Sequence, residues 1–250
     1  MRLLIINPNT SQSVTEKIAD VARAAAAKGT EVEFVTGHRG VPYIASRAEA
    51  LIGGQVVLEI LAERAAAFDA AVIAAFGDPG LGPARELFEI PIVGLAEASA
   101  LMACPLGRTF SIVSFSPRLE PWFRECITWH GLAGRLASIR MLDAPVAEVA
   151  DVQSENADLL VDLASRAVSE DGADVIVLAG APLAGLSGLV RDRISVPVVE
   201  GVAASVKMAE GLVALKPRKP IEGSFRQPAL KSTVGLPEAL SHLIETGQLE

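Results

Sequence analysis

The feature that most constrains this chain is an internal echo. "DAAVIAA" at residues 69–75 returns as "DVIVLAG" at 174–180, 105 positions later. "IPIVGLAEASALMA" returns as "VPVVEGVAASVKMA", with Pro, Val, Ala, Ser, Met and Ala at matching places. "IINP" and "SFSP" open the two halves. Parallel strands resemble one another by composition alone, but several segments matching in order favour a duplicated unit.

Within each unit, strand-like runs alternate with helical patterns. The strands read "RLLII", "VEFV", "AAVIAAF" and "IPIVGL", then "FSIVSF", "ASIRML", "ADVIVLAG" and "VPVVEG". An Ala-rich helix follows "NPNTS" up to Lys28, with Ser13 and Glu16 spaced as a capping box. Further helices are expected over 55–67 and 156–170. Near-continuous apolar strands joined by helices imply an α/β fold with parallel sheet covered on both faces. Ligands then belong at the carboxyl ends of the strands. The stretch 216–237, rich in Pro, Lys and Arg, reads either as an ordered wrap or subunit contact, or as a solvated loop.

Half of the 250 residues are apolar and only 4% aromatic, so Ala, Val, Leu and Ile must fill the core. The net charge of −8 argues against general nucleic-acid binding, which needs a basic face, but not against a small anionic substrate. Cys104 and Cys126 make neither a disulfide framework nor a CxxC motif, and three scattered histidines suggest no metal site. No run reaches the roughly 18–20 apolar residues of a spanning helix, so no membrane partner is expected. "MRLLIINPNT" lacks a signal-peptide cleavage pattern, and a cytoplasmic location is expected.

"INPNTS", "FGDPGL", "IVGLAEA", "EDGADVIVLAG" and "VPVVEGVAASVKMAE" occur in that order. Together they resemble the aspartate/glutamate/hydantoin racemase family, and within it the hydantoin and allantoin racemases. The likeness runs to about Leu215. It implies two pseudo-symmetric Rossmann-like lobes, residues 1–100 plus 208–250 and residues 101–207, with the ligand cleft between them. It also implies a cofactor-independent isomerase acting on a small hydantoin-, carboxylate- or amino-acid-like molecule, and a homo-oligomer is expected. In that family two cysteines face each other across the substrate. One removes a proton from a carbon while the other returns a proton to the opposite face, work that suits a thiol of tunable pKa.

At the two cysteine positions this sequence has Ala75 and Gly180. Neither holds a proton, and each acid or base role is worth roughly 10²–10⁴-fold in rate. Three readings stay open: an isomerase of altered mechanism, a lyase, hydratase or decarboxylase using bound water, or a non-catalytic binder. The catalytic residues are therefore unassigned, with Asp78 and Ser116 as weak candidates. Asp78 before Pro79 reads as a turn former or as a group aligning substrate or water. Asn7, Asn9, Thr10 and Ser11 offer amides, hydroxyls and helix N-terminal N–H groups to a carboxylate or imide, or cap the helix. Ser116 is their counterpart in the other half. Phe76 either walls the pocket or packs in the core. Gly77, Ala181 and Pro182 complete the two turns that would cradle substrate. Cys104, whose neighbours Met102 and Leu106 suggest burial, is read as structural, as is Cys126, placed too far along its helix from the strand end; His130 is read as a helix cap, and His38 as a surface or ligand-facing loop residue. "GVPYIAS" is a candidate lid.

Overall fold

The computed structural model describes residues 1–142, 157–180, 183–185 and 187–249. All eight expected strands are present: β1 Arg2–Asn7, β2 Glu31–Thr36, β3 Ala70–Ile73, β4 Ile92–Gly94, β5 Phe110–Ser114, β6 Leu136–Met141, β7 Val175–Leu178 and β8 Val198–Glu200. They form two four-stranded sheets of the same order, β2-β1-β3-β4 and β6-β5-β7-β8, parallel throughout. The principal helices are α1 Gln12–Ala25, α2 Arg47–Arg64, α3 Leu81–Leu87, α4 Leu95–Ala103, α5 Glu120–Trp129, α6 Ala157–Asp171, α7 Gly201–Leu215 and α8 Glu238–Thr246. None of the described helices is long and apolar enough to cross a membrane.

The inner strands β1, β3, β5 and β7 are buried on both faces, as parallel sheets require, while the edge strands β2 and β6 are half-buried. Along β1, Leu3 and Ile5 enter one core cluster while Leu4 and Ile6 enter another, following the two-residue period of a strand. The larger cluster runs from Leu3 and Val72 through to Phe110, Ile112 and Val177, so one core joins the two lobes. Helix α4, which follows the first sheet, packs against β7 and β8 of the second. Helix α7, which follows the second sheet, packs against β3 and β4 of the first. This reciprocal exchange is the duplication expressed in packing.

Two helix starts differ from the sequence reading. Helix α1 is capped by Ser11, whose Oγ accepts the Val14 N–H, and not by a Ser13–Glu16 box. Helix α2 begins eight residues before the expected position at Gln55, with Ser46 as its cap. Ser46 Oγ accepts the Glu49 N–H, and the Glu49 carboxylate reaches back to the Ala45 N–H at 2.6 Å. Gly53 and Gly54 interrupt the apolar pattern and hid this first half.

The 216–237 stretch has no helix or strand but is anchored. The Lys219 ammonium donates to the carbonyls of Arg85, Glu86 and Phe88 at the end of α3, where a cation is favoured. Helix α8 then seals the outer core with buried Leu240 and Leu243.

Candidate functional site

The ladders fix how the halves correspond. Ile6 pairs with Ile73 as Val113 pairs with Leu178. The next residues out form equivalent links: Ala74 N–H to Ile6 O at 2.8 Å, and Ala179 N–H to Val113 O at 2.9 Å. Ala75 and Gly180 follow at the two strand ends. Each carbonyl accepts an N–H three residues on, from Asp78 at 3.1 Å and Leu183 at 2.9 Å. The same register makes Ser114 the counterpart of Asn7. Ser116, matched to Asn7 in the sequence through the shared Pro, lies two residues beyond it.

Ala75 and Gly180 line one cavity of about 30 Å³, together with Asn9, Tyr43, Phe76 and Trp122. That space holds little more than a water-sized group. A ring-sized ligand therefore enters only if a wall moves. The irregular segment before α2 carries Tyr43 and Ile44 into the cavity wall. Tyr43 rests against Phe115, ring centres 5.6 Å apart, and Phe76 against Phe123 at 4.6 Å. Burial holds the Tyr43 phenol above its ordinary range, and the nearby Glu49 charge adds to this. At neutral pH it is a protonated donor.

The polar residues after β1 divide into two groups. Asn7 Nδ2 donates to Asn9 Oδ1, Ser11 O and Thr15 Oγ1, and its own Oδ1 accepts the Asn9 N–H. Its amide is spent within the turn. Asn9 Oδ1 also accepts the Ser11 N–H at 2.9 Å, and Asn9 is one of the residues that line the cavity. Thr10 is exposed, and Ser11 caps α1. Ser116 is buried at the start of the short turn Pro117–Leu119. Ala181 and Pro182 lie outside the described residues.

Asp78 does form the turn, at φ +51°, with its N–H bonded to Ala75 O and its own carbonyl accepting the Leu81 N–H, and its side chain reaches beyond the turn. Its Oδ1 accepts the Ala96 N–H at 2.8 Å and its Oδ2 the Glu97 N–H at 2.9 Å. The carboxylate thus caps α4 from a distance, where an anion meets the helix dipole. In the other lobe Glu200 caps α7 from its own position, accepting from Val202 and Ala203. Glu200 pairs with Leu178 as Gly94 pairs with Ile73, so its counterpart is Gly94, where a Cβ would sit 2.4 Å from the Asp78 carboxyl carbon. Glycine there makes room for the carboxylate from the neighbouring turn.

Asp78 also gathers two residues that the sequence reading set aside. His130 does stand at the C-terminus of α5, but its side chain, 4% exposed, places Nε2 3.0 Å from Asp78 Oδ2. Cys126, expected to lie far from the strand end, has its Sγ 3.8 Å from the same oxygen. These partners are 48 and 52 positions from Asp78, beyond any local pattern. The only sequence signal was Cys126 and His130 four apart on one helix, which puts both on one face. Asp78, Cys126 and His130 form a group of three possible metal ligands beside a groove of about 790 Å³, against the expectation that the histidines suggest no such spacing. Burial, then the Asp78 charge, pushes the Cys126 thiol up, so it is no nucleophile at neutral pH. Cys104 is half-buried and its neighbour Leu106 exposed, contrary to the expected burial. His38 is half-exposed and faces the buried Glu59 at 3.4 Å.

Comparison with known proteins agrees with this architecture. Residues 3–209 match the Asp/Glu/Hydantoin racemase family. The chain is 39% identical to the hydantoin racemase of Paenarthrobacter aurescens, over 92% of this chain and 99% of that protein. The solved allantoin racemase from Klebsiella pneumoniae superposes with a TM-score of 0.89 at 37% identity, covering 96% of this chain and 99% of that one. The allantoin racemase from Pseudomonas fluorescens gives 0.88 at 34% identity, covering 94% and 100%. By sequence and by fold, this chain belongs to the Asp/Glu/hydantoin racemase family.

Proposed function

We propose that this member binds a small carboxylate- or imide-bearing molecule of the hydantoin class between Ala75 and Gly180, and does not racemise it by two-thiol exchange. The observation that carries this reading is the lining of the cavity. Its two facing strand ends hold an alanine and a glycine, and among the described residues Tyr43 is the sole titratable side chain in the lining. A protonated phenol is an acid, and the described lining residues give it no partner base. Asp78 is spent on α4 and His130, so it is no substitute base for the cavity. Recognition rests on the Asn9 NH₂ for a carbonyl or carboxylate oxygen, on apolar walls, and on relatives named as hydantoin and allantoin racemases. A second reading follows from Tyr43 alone. One buried acid suffices to protonate a carbanion from one side, as a lyase or decarboxylase needs.

Isothermal titration with hydantoin and allantoin tests binding. Removing the Asn9 donor as Asn9→Ala is expected to weaken affinity about tenfold, the worth of one hydrogen bond near 1.4 kcal/mol. Unchanged affinity in a folded Asn9→Ala protein would remove Asn9 from the site.

A further inference from the structure

We propose that Asp78, Cys126 and His130 bind a zinc-class divalent cation at the edge of the groove beside the cleft. The proposal is independent of which small molecule the cleft takes. The three possible ligand atoms lie within 4.8 Å of one another. His130 Nε2 is 3.0 Å, and Cys126 Sγ 3.8 Å, from Asp78 Oδ2. Tetrahedral zinc, with bonds of about 2.0 Å to N or O and 2.3 Å to S, separates its ligands by roughly 3.3–3.6 Å. Small side-chain adjustments reach that arrangement. A sulfur, an imidazole nitrogen and a carboxylate oxygen suit zinc or a neighbouring transition ion, and not calcium or magnesium, which prefer oxygen alone.

The surroundings fit the same assignment. Asp78 Oδ2 faces three donors at once, the Glu97 N–H, His130 and the Cys126 thiol, and a cation would take the place of two of them. His130 Nδ1 is 3.7 Å from Glu97 Oε1, and Glu97 is itself gripped at both oxygens by Arg85. A carboxylate behind the second nitrogen of a ligating histidine fixes the ring and strengthens the ligand. Cys126 and His130 are held by one helix, and Asp78 is fixed by two backbone N–H groups, so the three supports are rigid. All three residues line the groove, which leaves a fourth position open to water or a ligand from that side. On binding, the sulfur–hydrogen bond of Cys126 is replaced by a sulfur–metal bond and that proton leaves to the buffer, while the His130 ring proton passes from Nε2 to Nδ1, on the Glu97 side, so that Nε2 is free to ligate.

The test uses the full chain, stripped with a chelator and titrated with Co²⁺ as an optical stand-in for zinc. The expected result is one cation per chain, visible tetrahedral bands, a thiolate-to-cobalt charge-transfer band, and displacement by Zn²⁺. Cys126→Ser should abolish the charge-transfer band, whereas Cys104→Ser should keep it. Glu97→Gln should weaken binding 10–100-fold, as loss of an outer partner does elsewhere. A folded, unmodified protein that binds no Co²⁺ overturns the proposal. So does a charge-transfer band that survives Cys126→Ser or disappears with Cys104→Ser.

Discussion

Replacing Asp78 by alanine is expected to lower stability by about 3 kcal/mol, combining loss of a helix cap with loss of a buried charged hydrogen bond. For a chain of this size that is a fall of roughly 6–12 °C in melting temperature. The carboxylate is 2% exposed and serves two elements: the N-terminus of α4 and the end of α5. Helix α4 packs on the second sheet, so loosening its start disturbs the contact between the lobes. Asparagine keeps one acceptor oxygen and should fall between aspartate and alanine. Urea denaturation of the three proteins measures the series. A loss below 1 kcal/mol for Asp78→Ala would mean that water replaces the carboxylate at α4.

The second large effect concerns the vacant cysteine positions. Ala75→Cys adds one atom beside a small cavity and should change stability by less than about 1 kcal/mol. Gly180→Cys is different. Gly180 has φ of +112°, and a Cβ there would lie 2.5 Å from Phe115 Cε1. Phe115 is fully buried and supports Tyr43. Backbone strain plus a displaced core aromatic is expected to cost about 2–5 kcal/mol. Introducing both thiols should therefore yield a destabilised protein with little proton exchange, although two thiols on opposite faces are the family's chemistry. Thermal unfolding of both single variants and the double variant checks this. A stable double variant that exchanges α-protons rapidly would show that the Gly180 turn adapts.

Much of this was legible in the sequence, for identifiable reasons. Short β-branched and aliphatic runs bounded by Gly, Pro and Asn placed all eight strands. The 105-residue echo implied two like sheets, because duplicated segments bury equivalent faces. The site was legible where it follows the chain, as at Ala75 and Gly180, each at the end of its strand. It was hidden where the fold joins distant residues. Nothing local links Asp78 to Ala96, Cys126 or His130. Helix capping from a neighbouring turn leaves no pattern of its own, except a glycine at the place where the other half has Glu200. The Ser114–Ser116 offset was hidden for the opposite reason. A shared Pro drew the alignment toward itself, while the ladder register depends on hydrogen bonds that composition does not record.

On the proposed function, the cleft keeps recognition without two-thiol proton exchange. This is tested most directly by incubating the unmodified protein with a single enantiomer of a 5-substituted hydantoin in D₂O and following the α-proton by NMR beside a buffer control. Loss of both roles, each worth roughly 10²–10⁴-fold, predicts exchange close to the buffer rate. The same ligand should still shift the protein's melting temperature upward. Rapid exchange by the unmodified protein, far above buffer and unaffected by Cys104→Ser or Cys126→Ser, would show that the cleft holds an acid/base pair other than thiols and overturn the proposed function.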